Sequence, residues 1–415
     1  MNYSPLSYLK NEDKYILFIY LFLFLTPLAL LKSQVAIFSL ILIIWGFIKY
    51  KGHILENMKI LYSFKPLLLW ISFVVFCFLA VLWSDSLYEG FTRVFNYHKY
   101  EILFGTALVV ALDKKQAIVA IKILLLSFTA YSIFSIMIYF DLVHIAGSSS
   151  VNPKGILRFS ISTQYMVIAT FIAMFFAFES KNRIEQFLLV IMSFTSLFAL
   201  FINNSRTSQL AFLLIFIIFS FIFSMKNIKF AIINILLSII IFFSFIQNDR
   251  MMDKFNAAIN EVQRINQSHI YSGSFGVRLY FNKAGLEILK DNFFFGMGPV
   301  DNRNKLVEME KSDPQYKSTF TIKHFHSEHM EILTAYGFFG YMLIFSAVVL
   351  LIYKLRKNGI YFYISLSVFL TLFFVSFTNK TLALKPINYV YVIFFVLLSI
   401  IAYKSEQNDK NIIGN

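Results

Sequence analysis

The sequence predicts an all-α protein that crosses a membrane many times, and three observations carry that expectation. The 415 residues are 58% hydrophobic and 14% charged, against roughly 45–50% and about 25% in an ordinary soluble chain. Apolar runs approaching the ~20 residues that cross a hydrocarbon core recur along most of the chain. Lys and Arg gather in the short segments between those runs, as orientation signals do in membrane proteins. Lipid solvates 51 Phe side chains directly, whereas a water-soluble fold of this size could not bury them. The net charge of +14 is therefore read as topology, not as a nucleic-acid face.

Taken in order, runs at about 14–31, 34–48, 66–83, 100–112, 117–140, 162–179, 185–202, 208–225, 228–247, 329–353, 359–378 and 387–403 predict twelve transmembrane helices. With the N-terminus inside, the inner segments hold 17 Lys and Arg and the short outer loops 8, the bias that the positive-inside rule demands. No small-residue cleavage point follows the first run, so it is expected to stay as a helix. Cys77 is the single cysteine, which excludes an intrachain disulfide and a cysteine-based metal site. The chain divides into helices 1–9 over 1–247, a large outer loop over 248–328, and helices 10–12 with a tail over 329–415. These parts form one integrated domain.

The outer loop carries 11 Lys and Arg against 10 Asp and Glu, so it is no polyanion clamp. Phe255, Ile259, Val262 and Ile265 recur at near-helical spacing, as do Val277, Phe281, Ala284 and Ile288. Both sets read as amphipathic helices that lie on the membrane or cap the bundle. The run Asn292 to Pro299 is an aromatic patch ended by turn residues.

Three outer elements hold polar residues that a mere anchor does not need. Asn204, Ser205 and Arg206 open the eighth span, where outward-facing backbone N–H groups and a planar guanidinium suit phosphate oxygens. An interfacial, snorkelling arginine is the bland alternative. Arg278 lies on the second amphipathic helix, with a solvated face or a local ion pair as its alternative, and Arg158 before the sixth span is a weaker candidate of the same kind. The third element is the cluster His324, His326 and His329 at the start of the tenth span. A zinc site lacks an obvious fourth ligand. General-base work fits better, because an imidazole near a helix N-terminus stays neutral and able to accept a proton; plain interfacial histidines remain open. No nucleotide loop or nucleophile elbow competes. No intramembrane string of carboxylates stands out, and Lys122 and Asp85 read as isolated.

An Arg after Ser205 opening a span, an Arg in a long outer loop, Gly296 and Gly298, then His326 ahead of Gly337 and Gly340 form an ordered set. That order resembles the O-antigen ligase and oligosaccharide polymerase superfamily of bacterial envelope glycosyltransferases. The likeness covers the whole chain in topology and is sharpest between about 200 and 345. It implies an all-helical, lipid-sugar-using (GT-C-like) glycosyltransferase fold with a large helical periplasmic loop, sited in the bacterial inner membrane. It also implies an undecaprenyl diphosphate-linked glycan as donor and the lipid A–core as acceptor. A diphosphate leaving group held by two guanidiniums is expected to need neither metal nor other cofactor, and direct displacement to invert the anomeric centre. By the same resemblance His326 is the catalytic residue, and Arg206 and Arg278 bind the diphosphate. Arg158, His324 and His329 are additional candidates. Many relatives have Asn after the matching His, where this chain has Ser327. An O-antigen polymerase or a protein O-oligosaccharyltransferase shares the donor and differs in acceptor. A lipid-linked glycan flippase is the alternative from another class, and it would place charges inside the spans.

Overall fold

The computed structural model describes residues 12–28, 35–203, 205–224, 249–316 and 324–413. Fifteen helices are present among them and no strand; the only pairings of that kind are isolated bridges, Ser149 with Asn152 and Tyr271 with Tyr316. The chain is thus an all-α, multi-pass membrane protein. Seven helices are long and apolar enough to cross a bilayer, or eight if the pair Val35–Tyr50 (α2) and Ile54–Ser63 (α3), bent by 115°, counts as one. The others in this class are Lys65–Leu79 (α4) with its 3-10 extension to Trp83, Lys114–Tyr139 (α6), Phe159–Glu179 (α7), Arg183–Ile202 (α8), Arg206–Ser224 (α9), Glu328–Leu355 (α13) and the helix that begins at Lys385 (α15). Lys14–Leu25 (α1) and Ile360–Ser376 (α14) are apolar but shorter. The run expected at 228–247 lies outside the described residues.

Helix ends fall where polar residues satisfy the first free N–H groups. Asp13 accepts from Tyr15 N at 2.8 Å, and Asp113 and Gln116 close a reciprocal box ahead of α6. Helices α7 and α15 are almost wholly buried and form the bundle's centre, whereas α8 is peripheral. Ile37, Leu40, Ile44, Phe47 and Ile48 on α2 stay exposed, an apolar stripe that water would not tolerate and lipid would.

One expected span needs correcting. The short run at 100–112 is the end of a helix that starts at Leu87 (Leu87–Ala111, α5), capped by Ser86. Its first turns carry Glu89, Arg93, Tyr97, His98 and Glu101, and a hydropathy reading stops at such residues although the helix does not.

The loop region builds three helices, Asp249–Ser268 (α10), Gly273–Asn292 (α11) and Asp301–Ser312 (α12); only the first two were expected. On α10, Ile265 is buried while Ile259 and Val262 remain exposed. Helix α11 buries Tyr280, Phe281, Ala284 and Ile288 against Leu306, Phe325 and Met330, a second core that ties the loop to the start of α13.

The aromatic run after α11 does something more specific than turn. Helix α13 breaks at Gly337, where φ is 65° and ψ is −173°, a region open essentially to glycine alone. The segment Phe293–Gly298 inserts at the break. Met297 N and Gly298 N donate to Thr334 O and Ala335 O at 2.9 and 3.0 Å, and Phe338 N and Phe339 N donate to Phe293 O and Phe294 O at 2.7 and 3.0 Å. Four backbone groups that a break would orphan in an apolar medium are satisfied by another segment. A Cβ on Gly337 would stand 2.3 Å from Phe294 O, and one on Gly296 would stand 2.5 Å from the Ala335 carbonyl.

Candidate active site

The site lies where helix α11 packs on the start of α13, with Arg206 of α9 near enough to act on Arg278. Arg206 is the first residue of α9 and is exposed. That end of α9 is fixed by side chains: Thr163 Oγ1 donates to Ser208 Oγ at 2.8 Å, Gln209 Nε2 donates to Asn203 O at 2.8 Å, and the Thr207 and Thr378 hydroxyls meet at 2.9 Å. Asn204 lies outside the described residues, so its capping role is not placed.

Arg278 stands in the second turn of α11. Glu261 of α10 caps that helix from outside, its Oε2 accepting from Phe275 N at 2.7 Å and Gly276 N at 3.2 Å. Burial, and next the positive charge of Arg206, press the Arg278 guanidinium below its ordinary value, while Glu261 opposes them. Arg206 and Arg278 are close enough for each to disturb the other's charge, and paired guanidiniums suit the oxygens of an anion.

One turn along from Arg278, buried Phe281 lies parallel to the His326 ring, with centroids 5.8 Å apart and planes 12° from parallel. His326 itself sits at φ 51°, in the left-handed region. Its N–H donates to Nδ1 of His324 at 3.3 Å, and the two imidazoles meet edge to face at 4.2 Å. Burial, then His324, Arg278 and Lys380, hold His326 at about 4, far below the usual imidazole range. Burial and Lys380 hold His324 at about 4 as well. At neutral pH both rings are therefore uncharged and able to accept a proton.

His329 does not join them. Its Nε2 meets Phe373 O at 3.0 Å and its Nδ1 meets the Tyr341 hydroxyl at 3.1 Å. With both ring nitrogens occupied and Phe373 and Phe377 packed on it, His329 is a structural residue of α13, and the three histidines do not converge. Arg158 ends as the exposed residue just before α7, whose Thr163 touches the start of α9.

Lys380 went unread in the sequence, where it counted only as an outer-loop charge. It lies in the turn between α14 and α15, and burial followed by Arg303 lowers its ammonium below the ordinary range. Nothing local in the sequence marks it, because its neighbours come from α12 and α13. Two buried carboxylates in the first turns of α13 also escaped notice. Glu328 Oε2 accepts from Leu382 N at 3.0 Å, pinning the turn that bears Lys380. Glu331 binds Arg93 and Arg303 and also accepts from Phe325 N.

Two readings of charge inside the bundle are corrected here. His98 Nδ1 meets Glu101 Oε2 at 2.9 Å and Asn388 donates to the other oxygen of Glu101, all three buried. With Arg93, Glu328 and Glu331 they border a cavity of about 100 Å³. Lys122 is no isolated charge either; it pairs with Glu185 at 3.0 Å. Asp85 is exposed, as expected for a span edge.

Beside the site, between α13 and α14, an apolar groove of about 400 Å³ runs from Glu328 and His329 past Tyr341, Phe345 and Val348 to Phe369 and Phe373.

Taken together, a multi-pass helical membrane protein presents a neutral imidazole, influenced by Arg278 and Lys380, beside an apolar groove. Comparison with known families is more specific: residues 191–345 match the family model described as O-antigen ligase, which supports the O-antigen ligase and polymerase superfamily for this chain. No curated protein matches it. The matched stretch contains Arg206, Arg278 and His326, while Arg93, Glu101 and Lys380 fall outside it.

Proposed function

We propose that the protein is an O-antigen ligase, transferring a glycan from undecaprenyl diphosphate to lipid A–core on the periplasmic side of the inner membrane. The observation that carries this reading is the set of cations around His326: Arg278 and Lys380 act on its imidazole and Arg206 acts on Arg278. In the reaction, the acceptor hydroxyl oxygen bonds to the anomeric carbon as the bond to the diphosphate oxygen breaks. The leaving electron pair stays on the diphosphate, and the hydroxyl proton passes to His326. Arg206 and Arg278 hold the diphosphate before and after bond breaking, when its charge has grown. Lys380 adds a third cation, and no metal step is required. Direct displacement inverts the anomeric centre. The groove between α13 and α14 takes the first isoprene units of the lipid. Twelve spans with 248–328 outside are the topology that fits these roles.

The buried charges of α5 and α13 do not favour a flippase, because each has a fixed protein partner at one end of the bundle. The test is a gel profile of lipopolysaccharide from cells lacking the gene, rescued with wild type or His326→Ala. The reading expects loss of long-chain ligated glycan, accumulation of lipid-linked glycan, and rescue by wild type alone. Altered chain length with intact capping of the core indicates a polymerase. Untouched lipopolysaccharide with altered protein glycosylation indicates a protein O-oligosaccharyltransferase.

A further inference from the structure

From the contacts around Glu331 we infer that this residue, gripped by Arg93 and Arg303, is the positioning residue that sets the His326 imidazole against the reacting hydroxyl. The inference rests on the function proposed above. Glu331 is one turn into α13 and 6% exposed. One carboxylate oxygen, Oε1, binds Arg93 Nη2 of α5 at 2.8 Å and also the Arg303 guanidinium of α12. The other, Oε2, accepts from the N–H of Phe325 at 3.3 Å, immediately before His326. Arg303 is braced in turn by the Tyr97 hydroxyl at 3.3 Å. A single carboxylate thus ties the histidine-bearing turn to α12 and to α5, whose Arg93 is 238 residues away.

Two physical arguments make this positioning and not mere stability. A buried ion pair adds little net stability, since the cost of desolvating its charges is about as large as their attraction. What it does supply is one allowed geometry. The turn needs such a constraint, because a non-glycine residue in the left-handed region costs about 1–3 kcal/mol and persists only when its surroundings fix it. Phe325 is 1% exposed and its N–H lies in the bundle's second core, where an unmade hydrogen bond would let the turn relax. Ser327 capping Met330 N and His324 accepting from His326 N are local restraints on His326, and Phe281 of α11 stacks on its ring. The local restraints fix the shape of the turn, whereas Glu331 fixes its place against α5 and α12.

The test uses the full-length protein in lipid nanodiscs with undecaprenyl diphosphate-linked glycan and purified lipid A–core. Glu331→Gln keeps the size and an acceptor oxygen but removes the charge. Its kcat should fall at least tenfold while KM for the lipid-linked donor stays within twofold, because Arg206 and Arg278 are untouched. Glu331→Asp, which keeps the charge, should recover at least threefold over Glu331→Gln. A wild-type kcat in Glu331→Gln, a defect confined to KM, or no recovery in the Asp variant overturns the inference. If Glu331→Gln fails to accumulate, Arg93→Gln leaves Glu331 bound to Arg303 and should show the same split with a threefold or larger loss; unchanged kcat there overturns it too. His326→Ala serves as the reference. If that variant is active, the proposed function itself fails; if it is dead while Glu331→Gln is fully active, only the positioning role fails.

Discussion

Replacing Gly337 by Ala should break the join between the loop region and α13, and the size of the effect follows from the geometry. The backbone there, at φ 65° and ψ −173°, costs a residue with a Cβ about 1–3 kcal/mol. The new methyl would also stand 2.3 Å from Phe294 O, so the inserted segment must retreat. That retreat loses the bonds from Phe338 N and Phe339 N to Phe293 O and Phe294 O, at about 0.5–1.5 kcal/mol each. Together these give a destabilisation of about 2–6 kcal/mol. Gly105→Ala is the control, because a Cβ there meets only Trp70 and Val396 side chains at 3.6 Å, an ordinary contact. Thermal unfolding of both variants in the same detergent should show a fall in midpoint for Gly337→Ala and almost none for Gly105→Ala. Equal midpoints would refute the claim that the break and its patch are a structural joint.

Arg278→Lys and Arg206→Lys should each lower glycan transfer about 10- to 100-fold, the worth of a charge-assisted hydrogen bond that Lys cannot duplicate with two prongs; transfer at unchanged rate in a protein of normal abundance would exclude the residue. His326→Ala should lose about 100- to 10,000-fold in kcat, whereas His329→Gln, which alters a ring bonded to Phe373 O and Tyr341, should keep most of it. The same in vitro assay separates the two histidines. The kcat of the wild type should hold as pH falls through 6.5 and decline only near 4, where His326 takes a proton. Stability behaves with the same sign: the unfolded chain protonates His324 and His326 near 6.5 and the folded one near 4, so stability falls as pH drops through that window and levels off below it. A kinetic midpoint near 6.5 would show that the His326 imidazole is not held low by its surroundings.

Much of the fold could be read from hydropathy, because a span is a local property of about 20 residues. Eleven of the twelve expected runs coincide with described helices wholly or in part. The reading stumbled where chemistry interrupts apolarity, as in α5, whose Arg93 and Glu101 are matched by Glu331 and Asn388 hundreds of residues away. Arg206, Arg278 and His326 stood out through the order of their motifs; in the structure Arg206 acts on the charge of Arg278, and Arg278 on that of His326. Lys380, Glu328 and Glu331 did not stand out, since each acquires meaning only from partners on other helices. His329 stands in the same cluster in sequence, yet its ring turns to Tyr341 and Phe373.

The insertion of Phe293–Gly298 at Gly337 makes the loop region and α13 one mechanical part. Exchanging the segment 248–328 between relatives to change what the protein accepts would therefore carry a hidden partner. A donor loop that arrives without the matching stretch through Gly340 would leave the helix break unsealed and fail for a reason unrelated to recognition. The natural crossover point for such chimaeras lies beyond residue 340, inside the membrane helix and not at the boundary that hydropathy draws.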